Sequence, residues 1–183
     1  MLNHIRSEKG FTLIEMIIVV TIVSILSIIV IPKLTRAIGE DKESIAVLSG
    51  IISKTFDDAF LKDHINYLVI HLHSPGPLGE KKDEIQSRTN GVSVILREGD
   101  KYVDNKRNIL KYKKFPDYFK IEEVVLTTGD KITDGNVIIP FYPQGFSDNF
   151  IIHISDGDRK SSIRMFKYLK EPKIYSDYIE FDK

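Results

Sequence analysis

Apolar residues fall into three patterns along the chain, and each predicts a different element. From Phe11 to Ile31 the sequence reads FTLIEMIIVVTIVSILSIIVI: 16 of 21 residues are apolar, four carry hydroxyls and one, Glu15, is charged. As a helix rising ~1.5 Å per residue this run spans ~31 Å, about the hydrocarbon thickness of a bilayer. Its β-branched residues would suit a strand, but no soluble strand is this long and apolar. A transmembrane helix over 11–32 is therefore expected. The rival is a secretory signal, whose apolar core is roughly 7–15 residues and ends at a small-residue cleavage site. Pro32-Lys33-Leu34 offers no such site.

Beyond Pro32 the apolar positions thin to a stripe. Leu34, Ile38, Ile45, Leu48, Ile52, Phe56 and Phe60 recur at helical spacing with charged residues between them. The spacing predicts an amphipathic continuation of the helix over 33–65, its stripe packed on a sheet. Gly39 and Gly50 weaken this helix by about 1 kcal/mol each without ending it. The whole helix from Phe11 would be on the order of 80 Å long.

From Asn66 the pattern changes to short β-like runs between turns. Leu68, Ile70 and Leu72 alternate with Tyr67, Val69, His71 and His73. Val92–Arg97 and Lys101–Asp104 flank Glu98-Gly99-Asp100, a hairpin signal. Ile121–Thr127, Val137–Tyr142, Asn149–Ser155 and Ser162–Leu169 are further strands, the last two around the turn Asp156-Gly157-Asp158. Ser74 to Asn90, rich in Pro, Gly and charge, reads as a long surface loop. The fold class expected is α+β: a long N-terminal helix packed on an antiparallel, β-rich head over 66–183.

Composition narrows the function classes. The chain has 183 residues, 26 basic against 26 acidic, and no cysteine. That length fits one domain with an appendage. Zero net charge removes the usual electrostatic basis for a nucleic-acid partner. The lack of cysteine excludes disulfides, thiolate zinc sites and a cysteine nucleophile.

Candidate catalytic chemistry is thin. His71-x-His73 would put two imidazoles on one strand face, with His64, His153 or a carboxylate as a third metal ligand. That face is opposite Leu68, Ile70 and Leu72, so solvated histidines are the expectation and no metal is assigned. Asp148, Asp156 and Asp158 lack the ligand spacing of an EF-hand and read as hairpin-turn residues. There is no G-x-S-x-G elbow, H-E-x-x-H pair or Walker-type glycine loop, so neither a cofactor nor enzymatic activity is expected. A membrane-anchored, metal-dependent enzyme is the remote alternative.

Glu15 is the anomaly of the apolar run, because a carboxylate in hydrocarbon costs several kcal/mol unless paired, neutralised or near the interface. A plain reading lets it snorkel, since it lies one turn inside. Its setting gives another. Lys9-Gly10-Phe11-Thr12-Leu13-Ile14-Glu15, opening an unbroken apolar helix after a ten-residue leader, resembles the class III signal of type IV prepilins and type II secretion pseudopilins. The resemblance implies that 1–10 is a leader removed by a prepilin peptidase between Gly10 and Phe11, and that Phe11 is then N-methylated. Gly10, lacking a side chain, lets the backbone enter a narrow cleft. The resemblance also implies that Glu15 meets the new amine of a neighbouring subunit, and that Pro32 marks a kink or locally melted turn.

The head resembles minor pseudopilins of the GspH/FimT type in the motif Phe141-Tyr142-Pro143-Gln144-Gly145 followed by alternating Phe150, Ile152 and Ile154. Pro143 fixes its own φ and Gly145 permits a positive one, which makes Phe141, Pro143 and Gly145 a rigid structural turn. The chain departs from the pattern in its Ser74–Asn90 loop and in Lys170-Glu171-Pro172-Lys173, where a glycine turn is expected. The resemblance implies a single-pass subunit of the bacterial inner membrane, its head in the periplasm, incorporated into a filament after processing. Its implied partners are prepilin peptidase, other pseudopilins or pilins, membrane lipid, and an inner-membrane assembly platform whose ATPase acts in trans. A major or minor type IV pilin of a surface or DNA-uptake pilus is the alternative.

Overall fold

The computed structural model describes residues 13–75, 84–157 and 159–181, and the side chains of these except 28–42. The chain forms two compact units, Met1–Glu40 and Asp41–Lys183. One α-helix, α1 (Leu13–Lys62), contributes to both. The transmembrane expectation over 11–32 falls only partly on described side chains. Among the described residues, no helix is long and apolar enough to cross a membrane.

Among the described residues of the second unit, α1 is followed by eleven strands. They are β1 (Asn66–His71), β2 (Gly91–Glu98), β3 (Lys101–Asp104), β4 (Lys113–Lys114), β5 (Phe119–Leu126) and β6 (Lys131–Ile132). Then come β7 (Asn136–Tyr142), β8 (Phe146–Ser147), β9 (Phe150–Asp156), β10 (Arg159–Met165) and β11 (Lys173–Tyr175). The first sheet runs β3-β2-β1-β7-β8, with β4 also beside β2; the second runs β11-β10-β9-β5-β6. Neighbouring strands pair antiparallel throughout. The α+β class and the helix-then-sheets order therefore stand.

Pairing follows turn chemistry. Glu98 pairs with Lys101, leaving Gly99-Asp100 as a two-residue turn with Gly99 at φ +62°. The strand expected at Ser162–Leu169 lies earlier, because the register Asp156↔Arg159 starts it directly after the turn. Leu169 falls outside it and is exposed. The two-residue strands β4, β6 and β8 are too short to leave a pattern in sequence. β11 forms after Lys170-Glu171-Pro172 without a glycine turn.

The core is one apolar cluster. Leu68, Ile70 and Leu72 meet Val137, Ile139 and Phe141 from the first sheet, with Phe119, Ile121, Phe150, Ile152 and Ile163 from the second. From α1, Leu48, Ile51, Ile52 and Ala59 enter the same cluster. From Ile45 to Phe56 the helical stripe is thus seated as its spacing predicts, while the side chains of Leu34 and Ile38 lie outside the described residues. Phe60 is the exception: it is 59% exposed at the helix end.

Asn90 joins the two sheets. It adopts φ +48°, and its Nδ2 donates to the Phe119 carbonyl at 2.8 Å while its Oδ1 accepts from the Ile121 amide at 3.1 Å. Its own amide donates to the Leu72 carbonyl at 2.9 Å. One buried side chain thereby satisfies backbone groups that no ladder reaches.

Candidate functional site: the apolar helix start, the aromatic turn and the head's polar anchors

The first described turns of α1 are apolar on every side. Leu13, Ile14, Met16, Ile17, Ile18, Val19, Val20, Ile22, Val23, Ile25 and Leu26 are all exposed. The hydroxyls in the run are turned inward along the helix: Thr21, Ser24 and Ser27 donate to the carbonyls of Ile17, Val20 and Val23 at 2.7, 2.7 and 2.8 Å. Such back-bonding hides polar groups from an apolar surrounding. Glu15 lies in the first turn, near the positive end of the helix dipole. Gly10 and Phe11, with the cleavage and methylation expected there, lie outside the described residues. So does the side chain of Pro32, and with it the expected kink.

The turn that follows β7 is closed by a Gly145 amide donating to the Tyr142 carbonyl at 3.1 Å, with Gly145 at φ +80°. Phe141, the residue before it, is fully buried and meets Phe56 edge-on at 6.5 Å. A Cβ on Gly145 would stand 3.8 Å from the Phe60 ring. The turn therefore lies against the C-terminal turns of α1. Across its base Tyr142 and Phe146 stack at 4.5 Å, and Phe146 continues to Tyr168 at 6.3 Å.

Asp58 pins the same end of α1. Its carboxylate is fully buried and ion-paired at 3.0 Å with both Lys62 and Arg107. Asn66 and Asn105 each donate to it at 3.1 Å. Burial pushes the carboxyl up, but hydrogen bonds from Lys62, Asn66 and Asn105 outweigh that and hold it below the ordinary carboxylate range. Helix end, β1 start and the segment after β3 are thereby joined at one charge. Sequence reasoning passes over Asp58, because nothing in its i,i+4 spacing to Lys62 distinguishes it from a surface pair.

The histidines do not share one environment, which corrects the expectation that both are solvated. His73 is exposed, but His71 is fully buried. Residues 84–90 return over that face: Asn136 bonds the Ile85 carbonyl at 3.4 Å, and Arg88 pairs with Asp104 at 2.6 Å beneath the Tyr112 ring. His71 Nδ1 lies 2.8 Å from Asn136 Oδ1 and Nε2 lies 2.9 Å from Ser93 Oγ. Burial lowers its pKa to about 4, so it is a neutral core residue that donates to Asn136 and accepts from Ser93. His153 is also buried, between Glu123 at 2.6 Å and the Ile179 carbonyl at 2.8 Å, with Tyr178 stacked on it at 4.3 Å. No group of three metal-ligating side chains occurs among the described residues. Asp156 is taken up by Arg159 at 2.8 Å.

Two comparisons with known proteins bear on this arrangement. Residues 5–31 match the family described as the prokaryotic N-terminal methylation motif. The fold is similar to that of the minor pseudopilin EpsH from the Type 2 Secretion System of Vibrio cholerae. The match has a TM-score of 0.51 at 10% identity and covers 75% of this chain and 97% of that one. No curated protein matches the sequence. The first match covers the N-terminal segment alone, and the second shows a fold similar to that of a minor pseudopilin.

Proposed function

We propose that the chain is a minor pseudopilin, a structural rather than catalytic subunit of a type II secretion or type IV pilus-like filament. The observation that carries the proposal is the methylation motif over 5–31 running into a helix whose large apolar side chains are exposed on every side. A helix apolar all round needs lipid or other protein around it, and a subunit that moves from membrane to filament meets each in turn. Prepilin peptidase would cut between Gly10 and Phe11 and methylate Phe11. The chain would then sit in the inner membrane through 11–32, head in the periplasm, until an assembly platform with its ATPase in trans delivers it to sister subunits. The pseudopilin-like fold and the Phe141–Gly145 turn support the minor-subunit reading, as does the charge of the expected Ser74–Asn90 loop, of which 76–83 lie outside the described residues and 84–90 pack over His71.

Intact mass spectrometry of membrane-extracted protein tests the processing step. The expected species begins at a methylated Phe11; a mature chain that retains Met1 to Gly10 overturns the proposal. Glu15→Val should insert into membrane as well as the parent or better, because a buried carboxylate is removed. It should assemble poorly, as measured by recovery in sheared filaments alongside sister subunits. Assembly at the parental level would return Glu15 to the snorkelling reading.

A further inference from the structure

The stretch from Lys101 to Lys120 holds seven basic and two acidic residues in a chain of zero net charge. Some of these cations are used internally: Arg107 pairs with Asp58, and Lys106 lies 3.7 Å from Glu98. Lys111, Lys113 and Lys114 are exposed and, among the described residues, have no carboxylate within ion-pair distance. Lys113 and Lys114, successive in β4, turn to opposite faces of the edge with Lys111 beside both, so each face favours an arriving anion.

Lys111 and Lys113 border an apolar cleft. Between α1 and the segment 108–113 lies a cavity of about 530 Å³ lined by Val47, Gly50, Ile51 and Ile109, with Glu43 also on its wall. A Cβ on Gly50 would touch nothing within 4 Å, and Ile109 is 54% exposed. Lys114, with Lys111 and Tyr112, lines an adjoining second groove, floored by the Arg88–Asp104 pair. That pair holds the Asp104 carboxyl below its usual range, so the floor stays internally neutralised. Gly91 keeps the edge in place: a Cβ there would stand 2.4 Å from the Lys113 carbonyl.

We propose that this edge docks an acidic amphipathic segment of a partner protein. One apolar side chain of the segment would enter the cleft against Val47, Gly50 and Ile109, and its carboxylates would pair with Lys111, Lys113 and Lys114. Charge complementarity selects this occupant. A wholly apolar partner would desolvate three ammonium groups without pairing them, which is costly. A nucleic acid would use the lysines and leave the cleft empty. A second copy has an acidic, aromatic run in Tyr178–Phe181, but that run is engaged on its own sheet by His153, Arg164 and Lys131. The inference does not depend on how the N-terminus is processed, so it stands or falls apart from the filament proposal.

The test uses the full chain in detergent and three labelled peptides of about fifteen residues, long enough for several helical turns. One is amphipathic with Leu on one face and Glu beside it, one has Lys in place of Glu, and one is a scramble of the first. The acidic amphipathic peptide should bind in a salt-sensitive way and the other two should not. Combined Lys111→Ala, Lys113→Ala and Lys114→Ala should weaken binding about tenfold or more. Gly50→Leu, which fills the cleft and improves helix propensity, should weaken it comparably while leaving the fold intact by circular dichroism. The proposal is overturned if the scramble binds equally, if no peptide binds, or if binding ignores Gly50→Leu. It is also overturned if an oligonucleotide of equal charge binds as well, or if the chain instead self-associates through the same residues.

Discussion

Helix α1 contains two stretches with opposite fates. Over 13–27 every large apolar side chain is exposed, whereas from Ser44 to Lys62 the helix buries Leu48, Ile51, Ile52, Ala59 and even a carboxylate at Asp58. Both are helical by the same backbone bonding. The difference lies in arrangement: the first stretch is apolar all round and has no polar face to turn outward, while the second has a stripe that the core between the sheets can cover. Local hydrophobicity therefore does not identify the core. The most apolar described stretch of the chain is also its most exposed.

The strongest way to break this comparison is to remove matched apolar side chains from each region. Ile52→Ala deletes a fully buried side chain of the second stretch and should lower head stability by about 2–5 kcal/mol in denaturant unfolding. Ile18→Ala, at a position 53% exposed, should leave the same transition within about 0.5 kcal/mol. Equal losses would show that the two regions unfold as one.

A second measurement sharpens what burial means within the head. His71 is held neutral, with its pKa lowered to about 4 by burial. The unfolded chain takes up a proton below about pH 6.5 and the folded chain does not, so His71 favours folding most above that value. Its contribution should fall as pH drops from about 6.5 through about 4, by on the order of 3 kcal/mol. Urea midpoints followed over that range should show the decline, and His71→Gln should flatten it. A parental curve that is flat above about pH 5 would mean that His71 is accessible after all.

The smallest effect concerns the aromatic turn. Gly145→Ala forces a side chain into φ +80° and should cost about 1 kcal/mol, visible as a small fall in the unfolding midpoint. The added methyl would stand 3.8 Å from Phe60, so conformation and not collision sets the size. A loss of several kcal/mol would point to the turn's packing on α1 instead.

Much of this is readable in the sequence because it depends on period. The run from Leu13, the stripe through Leu48 and Ile52, and the longer strands β1, β2, β5, β7 and β9 all follow from spacing that a single face imposes. What escapes depends on residues distant in the chain. Alternation with Ile70 and Leu72 assigns His71 to the outer face of its strand, and nothing local shows that residues 84–90 return to cover it. Asn90 and Asp58 join elements about thirty and nearly fifty positions apart, as with Ile121 and Asn105, and polar residues carry no periodic signal. The basic edge around Lys111 is hidden by a net charge averaged over the whole chain.

The Asp58 junction has a mechanical consequence. Lys62, Arg107, Asn66 and Asn105 converge on this one carboxylate near the last turn of α1. A pull along the helix axis would load these contacts together with the packing of Leu48 and Ile52, which precede Asp58 on the same helix. Contacts loaded in parallel share the tension, so the force needed for extraction is governed by how fast the whole junction opens and not by its weakest bond. Asp58 thus makes the final turns of α1 an anchor for any tension carried along the helix.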